Sequence, residues 1–424
     1  MSNHYAIQIT DHSDKDACIR AILKGAYADI FPELTDKKGV LFSTITLRKL
    51  IQEEYQHEQL TLSSMAGKDI LTKSSGEQMK VLFTYLLLLQ PDFMILDNPF
   101  DCLDVASVKA MKEKLQSLSA NMQFIQIFNR KADILSFITQ VIEVKDNQFS
   151  TIQSLAEYHA KQTETATINV YQIPASPHAY DAIPEVLIEM KDVNVSYYEK
   201  KVLHNINWKI QRGEFWQLVG PNGSGKTTLL SMIYGNNTKA YGQNIYLFGR
   251  KKGSGESVWD IKEKIGYFSP ALTDFFSRRN TVLQMVVSGL YDTVGLYQKP
   301  SYLEKKTAEE WLQVIGLSDE KDVSFQQISL VKQRMVLIAR AMIKHPPVLI
   351  LDEPSTGLND KNAALLSRLI NKIAKETNTA ILYVSHRKEP GLSPDHVLEL
   401  QMTEEGSVGV TKIFDSFASS NLNL

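Results

Sequence analysis

Short, continuously apolar runs alternate with helical patterns in both halves of the chain. Clear examples are Phe215–Val219, residues 348–351 and Ala380–Val384, and each is followed by polar or glycine-rich residues. Apolar runs of this length are typical of strands buried on both faces, as in a parallel sheet covered by helices. The pattern therefore predicts an α/β fold with a mostly parallel sheet in each half.

A polar run rich in Thr and Ala, residues 156–184, separates the halves and has no sustained apolar period. We interpret it as a linker between a domain at residues 1–155 and a second at residues 185–424. About 30 flexible residues span roughly 30 Å, which is enough for two similar domains to face each other within one chain.

The composition is that of an ordinary globular protein. Hydrophobic residues make up 43% and charged residues 22% of the chain, and the formal net charge of -2 gives no clear signal for nucleic acid. The longest aliphatic stretch, residues 82–89, is too short to span a bilayer and predicts a buried helix. The first residues carry no secretory pattern, so we expect a cytoplasmic protein. Cys18 and Cys102 are interpreted as packing residues.

A glycine-rich loop follows the strand predicted at Phe215–Val219 and precedes a helical stretch. Its order matches a complete P-loop, in which backbone amides and a lysine bind nucleotide phosphates and a hydroxyl binds Mg²⁺. The predicted ATP-binding residues are Gly220, Pro221, Asn222, Gly223, Ser224, Gly225, Lys226, Thr227 and Thr228.

Two later strands end in residues suited to phosphoryl transfer. Asp352 and Glu353 follow an apolar run, as in a Walker B motif, so Asp352 is predicted to hold Mg²⁺ with Thr227 and Glu353 to activate water. His386 ends the next strand and is predicted to contact the γ-phosphate. Lys226, Glu353 and His386 are therefore the predicted catalytic residues.

The first half repeats this order in a degenerate form. Asn98 stands where the second half has its catalytic carboxylate, and Asn129 stands where it has His386. If Lys15 aligns with Lys226, the preceding loop has lost its glycines, and Asp11, Asp14 and Asp16 place carboxylates that repel phosphate there. Asp97 and Lys15 either hold a nucleotide without cleaving it or belong to a structural remnant.

Residues 73–78 of the first half resemble the signature motif of ABC ATPases, the family in which two nucleotide-binding domains pair head to tail around ATP. The resemblance implies that Ser74, Ser75, Gly76 and Glu77 contact the ATP held by the other half. The second signature keeps Ser329 but has lost its glycines. Intact parts thus complement intact parts, which predicts one hydrolytic composite site and one inert site in a pseudo-dimer.

The resemblance covers nearly the whole chain and extends to the tandem ABC ATPases of the molybdenum-transport and photorepair group, on residues 248–266 and 288–297. It implies a P-loop NTPase with tandem nucleotide-binding domains, each with a helical subdomain, and an antiparallel β subdomain in the second half only. The first domain is expected to be truncated. Tyr197 is expected to stack on adenine. Residues 100–104 resemble a D-loop.

Some positions depart from the family pattern. Pro270 stands where most members have a glutamine that couples ATP to a membrane partner, and Asn359 replaces the usual D-loop aspartate. The basic run at residues 250–252 is interpreted as a solvated loop, with contact to an anionic partner as the alternative.

Three hypotheses for function stay open. The first is the ATP-binding component of a transporter with separate permease subunits, peripheral on the cytoplasmic membrane. The second is a soluble factor that acts on ribosomes or nucleic acid. The third is a nucleotide-gated switch with negligible turnover. All three share ATP and Mg²⁺ as ligands.

Overall fold

A computed structural model describes residues 3–10, 13–57, 61–67, 69–101, 103–160, 171–176, 180, 182–276, 280–386, 389 and 391–413. These residues form two compact units. The first lies within residues 1–164 and includes the short segment 357–360, and the second lies within residues 165–356 and 361–424. Within the described ranges, no helix is long and apolar enough to cross a membrane.

The first unit is built on a six-stranded sheet in the order β2-β3-β4-β1-β5-β6, parallel except for β6. Three helices, α2 to α4, separate β2 from β3. Its elements are β1 (Tyr5–Ile9), α1 (Lys15–Leu23), β2 (Gly39–Phe42), α2 (Thr44–His57), α3 (Thr61–Ala66), α4 (Ser75–Leu88), β3 (Phe93–Asp97), α5 (Val105–Leu118), β4 (Gln123–Ile127), β5 (Gln140–Lys145), β6 (Gln148–Ser154) and α6 (Leu155–Ala160).

The sheet of the first unit is buried on both faces. Phe93 and Ile95 of β3 pack into one hydrophobic cluster, together with Cys18, and Met94 and Leu96 pack into another. This double burial explains the continuous apolar runs in the sequence. Cys18 is thus a packing residue, whereas Cys102 lies outside the described residues.

The predicted helix at residues 82–89 is the second half of α4, but it is not buried all round. Leu82 and Leu86 lie in the core, whereas 68% of Leu88 is exposed. The period of 3.6 residues turns part of any continuous apolar run toward solvent when only one face of the helix is covered.

The second unit is built on a ten-stranded sheet in the order β11-β10-β7-β8-β16-β15-β9-β14-β13-β12. Its elements are β7 (Val186–Tyr197), β8 (Lys200–Gln211), β9 (Phe215–Val219), α7 (Lys226–Ile233), β10 (Asn244–Leu247), β11 (Arg250–Lys251), α8 (Val258–Lys262), β12 (Ile265–Phe268), α9 (Leu272–Phe275), α10 (Val282–Val287), α11 (Tyr302–Val314), α12 (Leu330–Met342), β13 (Val348–Asp352), α13 (Asp360–Glu376), β14 (Ala380–Val384), β15 (His396–Thr403) and β16 (Gly406–Ile413).

The sheet has a parallel core and an antiparallel extension, and β16 connects them by pairing antiparallel with β15 and parallel with β8. Strands β12, β13, β14, β9 and β15 are parallel, and β7, β8, β10 and β11 pair antiparallel. Helices α9 to α12 lie between β12 and β13 in the chain and provide the helical subdomain. The predicted fold class is confirmed, including an antiparallel β subdomain in the second unit and a shorter helical insertion in the first.

Six strands occur in the same spatial order in both units. The order β2-β3-β4-β1-β5-β6 in the first corresponds to β12-β13-β14-β9-β15-β16 in the second. Local backbone detail repeats as well. Asn98 follows β3 and Glu353 follows β13, the second strand in each order. Both residues have positive φ, and their amides donate to the carbonyls of Ile127 and Val384 respectively. The internal repeat inferred from the sequence is therefore present in the fold.

The basic run at residues 250–252 is not the solvated loop that we expected. Arg250 and Lys251 are exposed, but Lys252 is buried, with its ammonium 3.4 Å from a Glu256 carboxylate oxygen and 5.2 Å from the centre of the Tyr241 ring. A buried ammonium needs such partners, and local sequence does not reveal them. This corrects the interpretation for one of the three residues.

Both ends of the predicted linker have structure. Helix α6 continues to Ala160, and its Tyr158 is buried with its hydroxyl donating to Gln8. Further along, the Tyr180 hydroxyl donates to the carbonyls of Glu263 and Lys344 in the second unit. Residues 161–170 lie outside the described part of the chain.

Candidate functional site

The predicted P-loop connects β9 to α7, and both elements are confirmed. Gly225 has φ 95°, and a Cβ atom there would lie 2.6 Å from Leu203 Cδ2. A Cβ atom on Gly220 would lie 2.7 Å from Ser224 Oγ and 2.9 Å from the Leu400 carbonyl oxygen. The loop can therefore reach this conformation only with glycine at these two positions.

The amino end of α7 presents backbone N–H groups that no capping side chain occupies, because its N-cap residue is Gly225. The Lys226 ammonium donates to the carbonyls of Gly220 and Pro221, at 2.7 and 3.1 Å, so it lies over the loop. Thr227 is exposed on the first turn of the helix. Amides at a helix start, an ammonium and a hydroxyl together suit a polyphosphate.

Asp352 ends β13 beside a tyrosine of the neighbouring strand. The Tyr267 hydroxyl donates to Asp352 Oδ2 at 3.4 Å. Burial, and secondly the charge of Glu353, raise the pKa of Asp352 to about 6 from an ordinary value of 3.8. The protein therefore holds this carboxylate in surroundings that disfavour its charge unless a cation joins it.

Glu353 and His386, predicted separately from two strands, lie side by side. Nδ1 of His386 is 2.9 Å from Oε1 of Glu353. Because an ionised carboxylate only accepts, this nitrogen carries the hydrogen of the bond. The Thr356 hydroxyl also donates to Glu353, at 3.3 Å, and the Glu353 backbone has φ 51°. A carboxylate held in this way can receive a proton from a bound water.

The residues at this edge of the sheet fit a hard divalent cation that is shared with phosphate. The structure offers one hydroxyl, on Thr227, and one partly desolvated carboxylate, on Asp352. No group of three or more His, Cys, Asp or Glu residues that could hold a metal occurs among the described residues. Mg²⁺ commonly binds through one or two protein oxygens plus substrate phosphates, so the donor set fits Mg²⁺ with a nucleotide.

Asp352→Asn is expected to stabilise the protein in the absence of nucleotide and Mg²⁺. The folded Asp352 keeps its proton at pH values where the unfolded carboxyl has lost it, so the free energy of unfolding falls as pH rises from about 4 to about 6. Removing the charge should recover at most about 3 kcal/mol, with a gain that grows from about pH 4 to about pH 6 and then levels off. Thermal melting of both proteins across this range measures it. Equal melting temperatures at pH 8 would contradict the proposed desolvation.

Tyr197, the residue expected to stack on adenine, lies at the end of β7 and is partly exposed. The Asn237 side chain donates to its hydroxyl at 2.8 Å, and the Lys239 ammonium lies 5.8 Å from the ring centre. The ring is therefore held at the surface of the second unit.

In the first unit, the region that corresponds to the P-loop is occupied by side chains of the same unit. Lys15 begins α1 after β1, as Lys226 begins α7 after β9, and its ammonium donates to both carboxylate oxygens of Asp97, at 3.0 and 2.9 Å. Asp14 caps α1 by accepting from the Ala17 amide. Asp11, which was predicted to repel phosphate, lies outside the described residues. The lysine, the aspartate and the helix start thus already have partners.

The two signature segments both begin helices but differ in their caps. Ser74 is the N-cap of α4 and forms a reciprocal capping box with Glu77. Ser329 is the N-cap of α12 without a side-chain cap bond, and Lys332 stands at the position of Glu77 and pairs with Glu320. Gly76 on the first turn of α4 corresponds to Val331 on α12. Of the two signature segments, only that of the first unit therefore has a glycine on the first turn of its helix.

Sequence reasoning missed two residues of the second unit's site. Tyr267 reaches Asp352 from the adjacent strand β12, and no sequence signal indicates this pairing. Thr356 follows Glu353 by three residues and could have been found as a hydroxyl close to the carboxylate. Pro270, at the position of the usual glutamine, begins a turn in which its carbonyl accepts from the Thr273 amide at 3.1 Å.

Comparison with known proteins identifies the family of this chain. Residues 203–356 match the ABC transporter family model. The chain is 35% identical over 364 residues to the ABC transporter ATP-binding protein ModF of Escherichia coli (strain K12), an alignment that covers 81% of this chain and 74% of ModF. It is 31% identical over 338 residues to an uncharacterized ABC transporter ATP-binding protein of Schizosaccharomyces pombe, covering 77% of this chain and 68% of that protein.

Among solved structures, the archaeal ribosome recycling factor aABCE1, in complex with the stalk protein aP1, resembles the chain with a TM-score of 0.60. The likeness covers 96% of this chain and 85% of that one at 15% identity, which shows a shared fold alone. The sequence relatives carry more information because the similarity to ModF spans most of both proteins. The chain therefore belongs to the family of ABC transporter ATP-binding proteins, which bind and hydrolyse ATP.

Proposed function

We propose that this chain hydrolyses Mg-ATP at one composite site, built from the P-loop and catalytic residues of the second half and the signature of the first. The observation that carries the proposal is the Glu353–His386 pair, 2.9 Å apart at the edge of the sheet where the P-loop begins. In this arrangement a base and its orienting partner stand beside the predicted phosphate cradle.

Each residue of the second half has a task in this reaction. Lys226 and the α7 amides hold the β- and γ-phosphates, and Glu353 accepts a proton from the water that attacks the γ-phosphorus while the bond to the β-phosphate oxygen breaks. His386 keeps the Glu353 carboxylate in place through its Nδ1 hydrogen. Mg²⁺, held by Thr227 and Asp352, would offset the negative charge on the phosphates.

The restriction to one site rests on how the intact parts are distributed. In the first half, Asp97 already engages Lys15, and Asn98 cannot act as a base. The signature with Gly76 belongs to that same half, whereas the P-loop belongs to the other. Two domains at residues 1–155 and 185–424, joined by the linker 156–184, would let these parts meet when ATP binds.

Ser74→Arg is expected to abolish ATP turnover, and Ser329→Arg is expected to leave it nearly unchanged. The arginine in the first variant would occupy the place of the γ-phosphate at the competent site, whereas the second changes a signature that faces the inert site. Steady-state ATPase assays on the two matched variants measure the difference. The opposite ranking would show that the competent site has been assigned to the wrong signature.

We propose further that the ATP-driven motion works on separate permease subunits at the cytoplasmic membrane. The similarity to proteins named as ABC transporter ATP-binding proteins supports this reading. One observation favours the alternative, a soluble factor that acts on ribosomes or nucleic acid. Pro270 has no side-chain amide, and its carbonyl already accepts a hydrogen bond from Thr273, so the usual link to a permease is altered.

Partner capture distinguishes the two readings. Tagged Glu353→Gln protein is held with ATP and Mg²⁺, the Lys226→Ala variant serves as the nucleotide-poor control, and the proteins that differ are identified by mass spectrometry. A permease enriched in the trapped sample supports the transport motor. Ribosomal proteins or nucleic acid in its place would overturn that reading and support the soluble factor.

A further inference from the structure

The two loops that carry Glu353 and His386 in the second unit are also connected by a buried chain of hydrogen bonds. The Tyr383 hydroxyl donates to Ser355 Oγ at 3.2 Å, and Ser355 Oγ donates to a carboxylate oxygen of Glu389. Tyr383 is 1% exposed, and Ser355 and Glu389 are each 6% exposed. None of the three residues belongs to the P-loop or to the Walker B carboxylates.

The position of this chain in the fold is informative. Ser355 lies two residues after Glu353, in the loop that follows β13, and Glu389 lies three residues after His386, beyond β14. The same two loops are joined by the Glu353–His386 contact. The Ser355–Glu389 bond is therefore a second tie between the loops, on the side away from solvent.

A buried carboxylate carries a desolvation penalty, which makes it a poor way to connect two loops if stability is the only gain. Removing a carboxylate from water costs several kcal/mol, and apolar residues of similar volume are often as stabilising or more so. A position where geometry matters is different, because a hydrogen bond to a carboxylate fixes the distance and direction between its partners more narrowly than apolar contacts do. The loop also contains Glu353 with φ 51°, a conformation that the surroundings must impose.

The Ser355 end of this hydrogen-bond chain is linked to the Glu353 carboxylate through neighbouring residues of the polypeptide. Its neighbour Thr356 donates to Glu353 Oε2 at 3.3 Å, and the Glu353 amide donates to the Val384 carbonyl at 2.9 Å. Tyr383 precedes Val384 on β14. A shift of Ser355 would therefore move the Thr356 hydroxyl that contacts Glu353, and also the backbone that sets the direction of the Glu353 side chain.

We propose that Ser355 and Glu389 are positioning residues for ATP hydrolysis, which hold Glu353 and His386 at their contact distance. This inference rests on the proposed role of Glu353 as the base. Neither residue touches the phosphates in this scheme, so both act on the rate of the chemical step and not on nucleotide affinity. A misplacement of about 1 Å at a catalytic group can reduce a rate by as much as a hundredfold.

Three variants test the proposal against a matched control. Ser355→Ala removes the central hydroxyl, Glu389→Ala removes the acceptor, and Glu389→Gln retains an oxygen that can accept from Ser355. The control is Thr379→Val, which removes a buried hydroxyl that donates to the Pro346 carbonyl at 2.8 Å just before β14, at the end of the strand away from Tyr383. Ser355→Ala deletes two buried hydrogen bonds, from Tyr383 and to Glu389, and Thr379→Val deletes one outside the two catalytic loops.

We expect kcat to fall about tenfold or more in Ser355→Ala and Glu389→Ala, with the Kd for ATP within about twofold of wild type. Glu389→Gln should recover most of kcat. Thr379→Val should lower the melting temperature and leave kcat unchanged. If Glu389→Ala does not fold, Ser355→Ala and Tyr383→Phe, which breaks the first bond of the chain, carry the test.

The proposal is overturned if folded Ser355→Ala protein keeps the wild-type kcat, or if Thr379→Val loses as much activity as Ser355→Ala. Failure of the underlying function looks different, because Glu353→Gln would then leave turnover intact. A third comparison adds to the test: in a Glu353→Gln background, Ser355→Ala should reduce the residual turnover no further. An additional loss there would show that Ser355 acts independently of Glu353 and would also overturn the proposal.

Discussion

Glu353→Gln is expected to reduce ATP turnover by about a hundredfold or more while ATP remains bound. A glutamine keeps the size of the side chain but cannot accept the proton of the attacking water, and general-base catalysis contributes typically about 10² to 10⁴ in rate. The substitution does not alter the contacts of Lys226 with the P-loop carbonyls, and it does not alter the backbone amides at the start of α7. Single-turnover hydrolysis and equilibrium binding of labelled ATP, measured on the same preparation, give the two quantities.

The result also decides whether the chain is a motor or a switch. Loss of turnover with retained ATP affinity would exclude a nucleotide-gated switch with negligible hydrolysis, because wild type must then hydrolyse ATP by this base. Asn98 occupies the corresponding position in the first unit, so Asn98→Gln is a matched control that should leave ATP turnover and ATP affinity unchanged. Wild-type turnover in Glu353→Gln would contradict the role proposed for Glu353.

Lys226→Ala is expected to weaken ATP binding by about a hundredfold or more, and Lys15→Ala is expected to leave binding unchanged. Each lysine begins the helix after the first parallel strand of its half, but only Lys226 lies over a glycine loop. Truncating one partner of a buried charge pair costs about 2 to 5 kcal/mol, and each 1.4 kcal/mol is a factor of ten in affinity. The Lys15 ammonium already forms an ion pair with Asp97.

Isothermal titration with ATP measures this contrast directly. We expect wild-type and Lys15→Ala proteins to bind one ATP per chain, and Lys226→Ala to bind none at micromolar concentrations. Lys15→Ala should melt at a lower temperature, since it leaves the carboxylate of Asp97, a buried residue, without its ammonium. Two ATP molecules per wild-type chain would contradict the proposal that the first half is inert.

These expectations follow from a repeated fold that carries unequal chemistry. Both units place an asparagine or a glutamate after the same strand with positive φ and the same backbone hydrogen bond, so the scaffold of the site is conserved where the base is not. The scaffold depends on sheet packing, which many side chains share. The chemistry depends on one carboxylate and is lost with one substitution.

The strands and the P-loop helix could be predicted because their signals are local. Runs such as Ala380–Val384 are apolar on both faces, and the glycine pattern before Lys226 has few other uses. The prediction that Lys252 lies in a solvated loop was wrong, because its side chain is buried with its ammonium close to the Glu256 carboxylate and the Tyr241 ring. A charge run carries no information about whether the fold supplies such partners.

The sequence by itself determined which residues can carry chemistry here, because the phosphate cradle, the paired carboxylates and their degenerate counterparts depend on residue type and order. Tertiary structure alone decided what those residues touch. It brought the Tyr267 hydroxyl to Asp352 from the adjacent strand, and it joined Ser355 to Glu389 between the loops that carry Glu353 and His386. It also neutralised Lys15 with a carboxylate from a strand 82 residues away. Such contacts arise from packing between distant segments, which residue order alone does not specify.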